Sequence, residues 1–134
     1  MIVLQEENFD IEGSLESMRR DDCGANLLFL GTVKSPIEGG EVTCLELESY
    51  KEMAQSELEA IEREARKRYD IADVLVIHRY GRLSVGSPIV LLIIVSVERT
   101  QAYGASRYIL EELKGRVPIF KKEHMRDKQY WHGE

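Results

Sequence analysis

Cysteine and proline are scarce in this chain of 134 residues, with two of the first and three of the second. Two thiols, Cys23 and Cys44, are not a disulfide framework. A chain of this length buries a core without one, so both are expected to be reduced, in the cytoplasm. Long apolar runs are missing too. The longest, Ile89 to Val95, has seven residues, far short of the roughly 20 that a membrane-crossing helix needs. The opening MIVLQEENFD has no basic segment leading into an apolar stretch and does not read as a secretory signal. Basic charge is in deficit: 18 Lys and Arg against 24 Asp and Glu give a net charge of −6, which argues against binding to nucleic acid or to an anionic membrane. The common chemical motifs are also absent. There is no GxGxxG, no Walker-type loop, no CxxC and no HExxH. His78, His124 and His132 lack metal-ligand spacing and read as structural or exposed, so no metal and no cofactor are expected. No Ser-His-Asp arrangement is evident, and neither cysteine reads as a nucleophile.

What is present is an ordinary globular composition, 43% hydrophobic and 31% charged, without linker, repeat or low-complexity tract. One domain over residues 1–134 is expected. A short strand over Ile2 to Gln5 precedes a helix capped by Asp10 and running to about Arg20, with Ile11, Leu15 and Met18 on one face. Ala25 to Lys34 is nearly continuously apolar, which predicts a strand buried on both faces. Residues 35–40, with one proline and two glycines, form a loop suited to moving on binding. Val42 to Tyr50 alternates, with Val42, Cys44, Glu46 and Glu48 on one side and Leu45 and Leu47 on the other.

A long helix from about Glu52 to Tyr69 places Ala54, Leu58, Ile61, Ala65 and Tyr69 at helical spacing. Its outer face offers Glu59 to Arg63, Glu62 to Arg66 and Glu64 to Arg68. Val74 to Tyr80 and Ile89 to Ser96 read as strands joined through GRLSVGSP. The last helix, about Thr100 to Arg116, buries Ala102, Ala105, Ile109 and Leu113. Pro118 stops it before an extended segment from Ile119 to His124. The order β-α-β-β-α-β-β-α-β, with several connections too short for crossovers, predicts an α+β fold with a mixed or antiparallel sheet and packed helices.

Charge is unevenly spread. From Arg99 onward eight basic residues face five acidic ones, giving +3, which leaves −9 for residues 1–98. Such a basic region suits a small anion or an acidic partner; it equally suits a solvated basic face. Four basic residues, three of them in this region, sit at the ends of buried elements. Lys34 closes a strand before the glycine loop. Arg99 opens the last helix, where free backbone N–H groups favour an anion. Lys114 lies near that helix's C-terminus, where the dipole alone would favour it. Lys121, just past Pro118 and beside Phe120 and Val117, is placed where apolar neighbours would make it an acid, base or amine nucleophile.

The segments GANLLFLGTVK (24–34), LESYKEMA (47–54), VIHRYGRLSVG (76–86), SVERTQAY (96–103) and LKGRVPIFKKE (113–123) resemble, in order and spacing, the large, catalytic subunit of molybdopterin synthase, the MoaE family. The resemblance implies an α/β-hammerhead-like fold and a homodimer within a heterotetramer. Its partner would be a small ubiquitin-like sulfur-carrier subunit with a C-terminal Gly-Gly thiocarboxylate. The sulfur would pass to cyclic pyranopterin monophosphate, building the molybdopterin dithiolene. By position, the resemblance assigns Lys114 and Lys121 as catalytic. It assigns Thr32, Val33, Lys34, Glu98, Arg99, Lys122 and Glu123 to substrate binding, with Glu123 alternatively orienting Lys121. The family usually has His before the arginine and Arg in place of Lys34; lysine keeps the charge without the bidentate fork. Glu98 leaves a second reading, a non-catalytic homologue that binds the carrier subunit or a pterin.

Overall fold

The run from Ile89 to Val95 becomes the most buried strand of the fold because both of its faces are covered. In a computed structural model, which describes residues 1–125 and the backbone of 129–133, strand β6 (Pro88–Ser96) is buried from Ile89 to Ser96. Side chains alternate along a strand. Val90, Leu92 and Ile94 join the larger core, and Leu91, Ile93 and Val95 join a smaller one on the opposite face. Burying a side chain such as Leu91 or Ile93 fully is worth about 1.5–3 kcal/mol over leaving it exposed.

Around β6 the first sheet is mixed. Its order is β1 (Ile2–Gln5), β4 (Asp73–Arg79), β6, β2 (Ala25–Thr32), with β1 parallel to β4 and the other pairs antiparallel. The second sheet is antiparallel throughout, in the order β5 (Gly81–Ser84), β3 (Val42–Ser49), β7 (Ile119–Met125), β8 (Gln129–Gly133). Helix α1 (Ile11–Met18) covers the small core, and Asp10 caps it by accepting from the Gly13 N–H at 3.1 Å. Helices α2 (Lys51–Arg68) and α3 (Arg99–Arg116) lie over the larger core. They bury the residues their spacing predicted: Ala54, Leu58, Ile61 and Ala65 from one, Ala102, Ala105, Ile109 and Leu113 from the other.

Four expectations need correction. Strand β2 is not buried on both faces: it is the edge of the first sheet, and Phe29 is 42% exposed. An edge strand can be as apolar as a central one when something outside the chain is to cover it. The connector GRLSVGSP contains a strand of its own, β5, and β8 pairs beyond β7. The alternation of β3 breaks at Thr43, where a register shift turns Val42 to the buried side with Leu45 and Leu47; one extra residue in a strand reverses its faces. On α2, Glu62 does pair with Arg66 at 3.0 Å, but Glu64 binds Arg116 of α3 at 2.8 and 3.0 Å instead of Arg68. Arg68 lies 4.6 Å over the Tyr108 ring. The forked guanidinium reaching across two helices outcompetes a same-helix pair because it takes both carboxylate oxygens. With Tyr108 also donating, it holds the Glu64 carboxyl down at about 2.

Candidate functional site

Strand β7 places FKKE by its pleat. Residues directly opposite in an antiparallel pair share a face. Lys121 lies opposite Leu47, and Glu123 opposite Leu45, so both project to the side where Leu45 and Leu47 are buried. Lys122 lies opposite Glu46, which has Arg82 on its other side, so all three share the outer face of the sheet. Two of the three charged residues thus turn inward and the third turns away. Phe120 also turns away, packing edge-on against Tyr50 at 5.8 Å, so it is not among the apolar neighbours of Lys121.

Lys121 and Glu123 line a cavity of about 160 Å³. Thr32, Val33 and Lys34 form a second wall as the chain leaves β2, and Ile37, Val42, Leu45 and Ile89 complete it. Five of the nine residues singled out from sequence therefore meet here. The four apolar ones were not anticipated. Ile89 and Leu45 are ordinary core residues by pattern, Val42 was assigned to the wrong face by the unseen bulge, and Ile37 belongs to a loop. That loop is well tied. Ile37 and Gly40 exchange backbone hydrogen bonds of 3.0 and 3.2 Å, and the Val42 N–H donates to Ser35 Oγ at 2.8 Å. Gly39 and Gly40 take φ of 103° and 137°, conformations that side chains oppose.

Glu98 and Arg99 are elsewhere. They line a larger cleft of about 630 Å³ with Gly24, Ala25, Asn26 and Leu27 at the start of β2, and with Tyr103 on α3. Both are exposed, and Glu98 occupies the helix N-cap without a side-chain capping bond; its carbonyl accepts from Ser96 Oγ at 2.6 Å. The two clefts sit at opposite ends of β2, which at about 3.3 Å per residue separates them by roughly 25 Å. Helix α3 follows β6 after two residues and packs back along β2 and β6. Its 18 residues at 1.5 Å each return roughly the same distance. Lys114, exposed on the last turn, therefore comes to the Lys121 end without lining that cavity.

The outer face of the second sheet holds a separate polar group. His124 Nε2 donates to Glu46 Oε1 at 2.9 Å, with Arg82 3.4 Å from the same nitrogen. The His124 bond, aided by Arg82, holds the Glu46 carboxyl below its ordinary range against the effect of burial. His78 is buried, with Nδ1 2.8 Å from the Arg79 carbonyl. Among the described residues no cluster of His, Cys, Asp or Glu could hold a metal ion, and no helix is long and apolar enough to cross a membrane.

A lysine and a carboxylate inside a narrow slot that apolar side chains line on one side, with a second lysine at its rim, can hold an anionic chain end and move a proton there. An exposed arginine at a helix N-terminus suits a phosphate. In comparisons with known proteins, the family model described as MoaE protein matches residues 4–116. The molybdopterin synthase catalytic subunit of Pyrococcus abyssi is 35% identical over 130 residues, covering 97% of this chain and 88% of that one. The molybdopterin synthase catalytic subunit of Thermoplasma volcanium is 39% identical over 81% of this chain and 80% of its own. A crystal structure of molybdopterin synthase from Staphylococcus aureus matches with a TM-score of 0.91 at 31% identity, covering 98% of this chain and 96% of that chain.

Proposed function

Because this chain belongs to the MoaE protein family, we propose that its catalytic centre is the Lys121 cavity of one copy joined to the Arg99 cleft of a second. The chain serves molybdenum-cofactor biosynthesis as a molybdopterin synthase catalytic subunit. In the reaction we assign to it, a small ubiquitin-like carrier presents a C-terminal Gly-Gly thiocarboxylate. Two sulfurs, from two such tails, are transferred to cyclic pyranopterin monophosphate to form the dithiolene. The work is cytoplasmic, a compartment that suits two free cysteines.

The observation that carries the reading is the convergence of Lys121, Glu123 and Lys34 on a slot too small for a fused-ring substrate. Pockets for drug-sized ligands begin at about 300 Å³; this one suits the thin end of a chain. Lys121 and Lys34 attract the tail's negative charge, and Lys121, with Lys114 at the same end of α3, supplies acid–base or amine chemistry. Glu123 shares the inner face with Lys121 and orients it. Lys122, on the outer face, does not line the slot.

The substrate's phosphate then needs a cation outside the slot. Arg99 supplies it from a second copy if two β2 edges pair antiparallel about a twofold axis, a closure that also covers Phe29. Such pairing sets the start of one β2 against the end of the other. Each Arg99–Glu98 cleft then abuts the Thr32–Lys34 wall of its partner. The deciding experiment supplies the purified chain with a thiocarboxylated carrier and cyclic pyranopterin monophosphate, and measures molybdopterin. Product at rates set by this chain is expected; no product with both substrates bound would reject the catalytic reading in favour of a binding homologue.

A further inference from the structure

One wall of the Lys121 slot differs in kind from the rest. Val42, Leu45 and Ile89 are strand residues buried to within 9% and fixed by the core. Ile37 lines the same slot from a small hairpin outside those strands, half-buried. The hairpin is closed on itself by the two Ile37–Gly40 bonds and tied at its base by the Val42 N–H to Ser35 Oγ bond. It presents one side chain to the slot and no polar one.

We propose that Ile37 is the specificity-determining residue of this slot, admitting a donor tail that ends in glycine and rejecting one whose last residue carries a side chain. This inference rests on the reading that a carrier tail enters here. The slot's 160 Å³ equals only about five water volumes of ~30 Å³ each. Space of that size is consumed by backbone and a terminal charge. The charge has its partner in Lys121; a Cβ would meet an apolar wall that cannot retreat on the strand side. The wall that decides is therefore the one on the hairpin. In a tight apolar pocket one extra methylene changes selection by about 10–200-fold. Ser35 acts here as a positioning residue, since its bond to Val42 sets how far the hairpin leans over the slot.

The test uses a ubiquitin-like carrier made with Gly-Gly, Gly-Ala or Gly-Val as its last two residues, titrated against the intact chain by calorimetry. The wild-type chain is expected to prefer Gly-Gly over Gly-Ala about tenfold or more. Ile37→Ala should shrink that ratio several-fold, and Ile37→Val, which keeps a branched side chain, should shrink it less. Ser35→Ala should relax selection while Ile37 is still present. An unchanged ratio in Ile37→Ala overturns the assignment even if Gly-Gly binds well, and the broader reading of the slot then stands. Equal binding of all three carriers by the wild-type chain also overturns it. Failure of the wild-type chain to bind any of them overturns both.

Discussion

A centre shared between two copies can be tested by mixing two inactive variants. Lys121→Ala removes the slot's lysine, and Arg99→Ala removes the cation at the far end of β2. Either change alone should lower molybdopterin formation by about a hundredfold or more, the usual scale for a positioned acid–base group or an electrostatic clamp. In a hybrid dimer the defects sort unevenly. One centre receives both the altered Lys121 and the altered Arg99; the other receives both intact residues. Each hybrid keeps one good centre of two, so purified hybrids should recover to about half of the wild-type value, and an unsorted mixture, of which about half are hybrids, to about a quarter. The variants are co-expressed with different affinity tags, purified as hybrids and assayed beside each parent. If Lys121 and Arg99 of the same copy formed a centre, every centre of the hybrid would carry one defect and mixing would add nothing. Activity no higher than the mean of the parents refutes the shared centre. Both parents retaining wild-type activity refutes the site itself.

Lys121→Arg should remain poorly active although it keeps the charge, because guanidinium neither gives up a proton readily nor serves as an amine nucleophile; near-normal turnover would reduce Lys121 to electrostatics. Glu64→Gln should flatten the acid side of the stability profile. The folded carboxyl titrates at about 2 against an ordinary 4.5, so its contribution is whole above pH 4.5 and fades as pH falls from there towards 2. The melting difference between wild type and variant should narrow across that window, and a constant difference would contradict the Arg116–Glu64 bond as its source. Gly81→Ala should cost about 1–2 kcal/mol in urea unfolding, because φ there is 94° and a Cβ would sit 2.8 Å from Glu6 Oε1; an unchanged midpoint would refute the strain.

Periodicity read the helices well because burial there follows one rule. The four inward residues each of α2 and α3 fall where a 3.6-residue repeat puts them. It read β6 well because a run with no polar residue has to be covered on both sides. The same logic failed for β2, and the reason is informative. Apolar character records that a surface is covered, not by which chain. Phe29 is core-like in sequence and exposed in one copy, so the expectation of a fully buried strand becomes an argument for a second copy at that edge. The bulge at Thr43 was illegible for a different reason: one unpaired residue leaves no compositional mark, yet it turned Val42 inward.

The candidate site divides along the same line. Lys34 and Lys121 are conspicuous as charges beside apolar strands, and the family resemblance adds Glu123. Period-two alternation then separates Lys121 from Lys122, a distinction hidden in the bare string FKKE until β7 is paired with β3. Ile37 had no such signal, since an isoleucine in a glycine-rich loop looks like filler. Its importance comes from the hairpin bonds that aim it and from the rigid strand residues with which it lines the slot. Arg99 shows the limit from the other side. Its residue type and its place at a helix N-terminus were readable, but its distance from Lys121 within one copy, about 25 Å by strand rise, was not. A single copy brings five of the nine residues together in one cavity and leaves Arg99 at the other end of β2; the proposed twofold pairing of β2 edges would bring the arginine of a second copy to them.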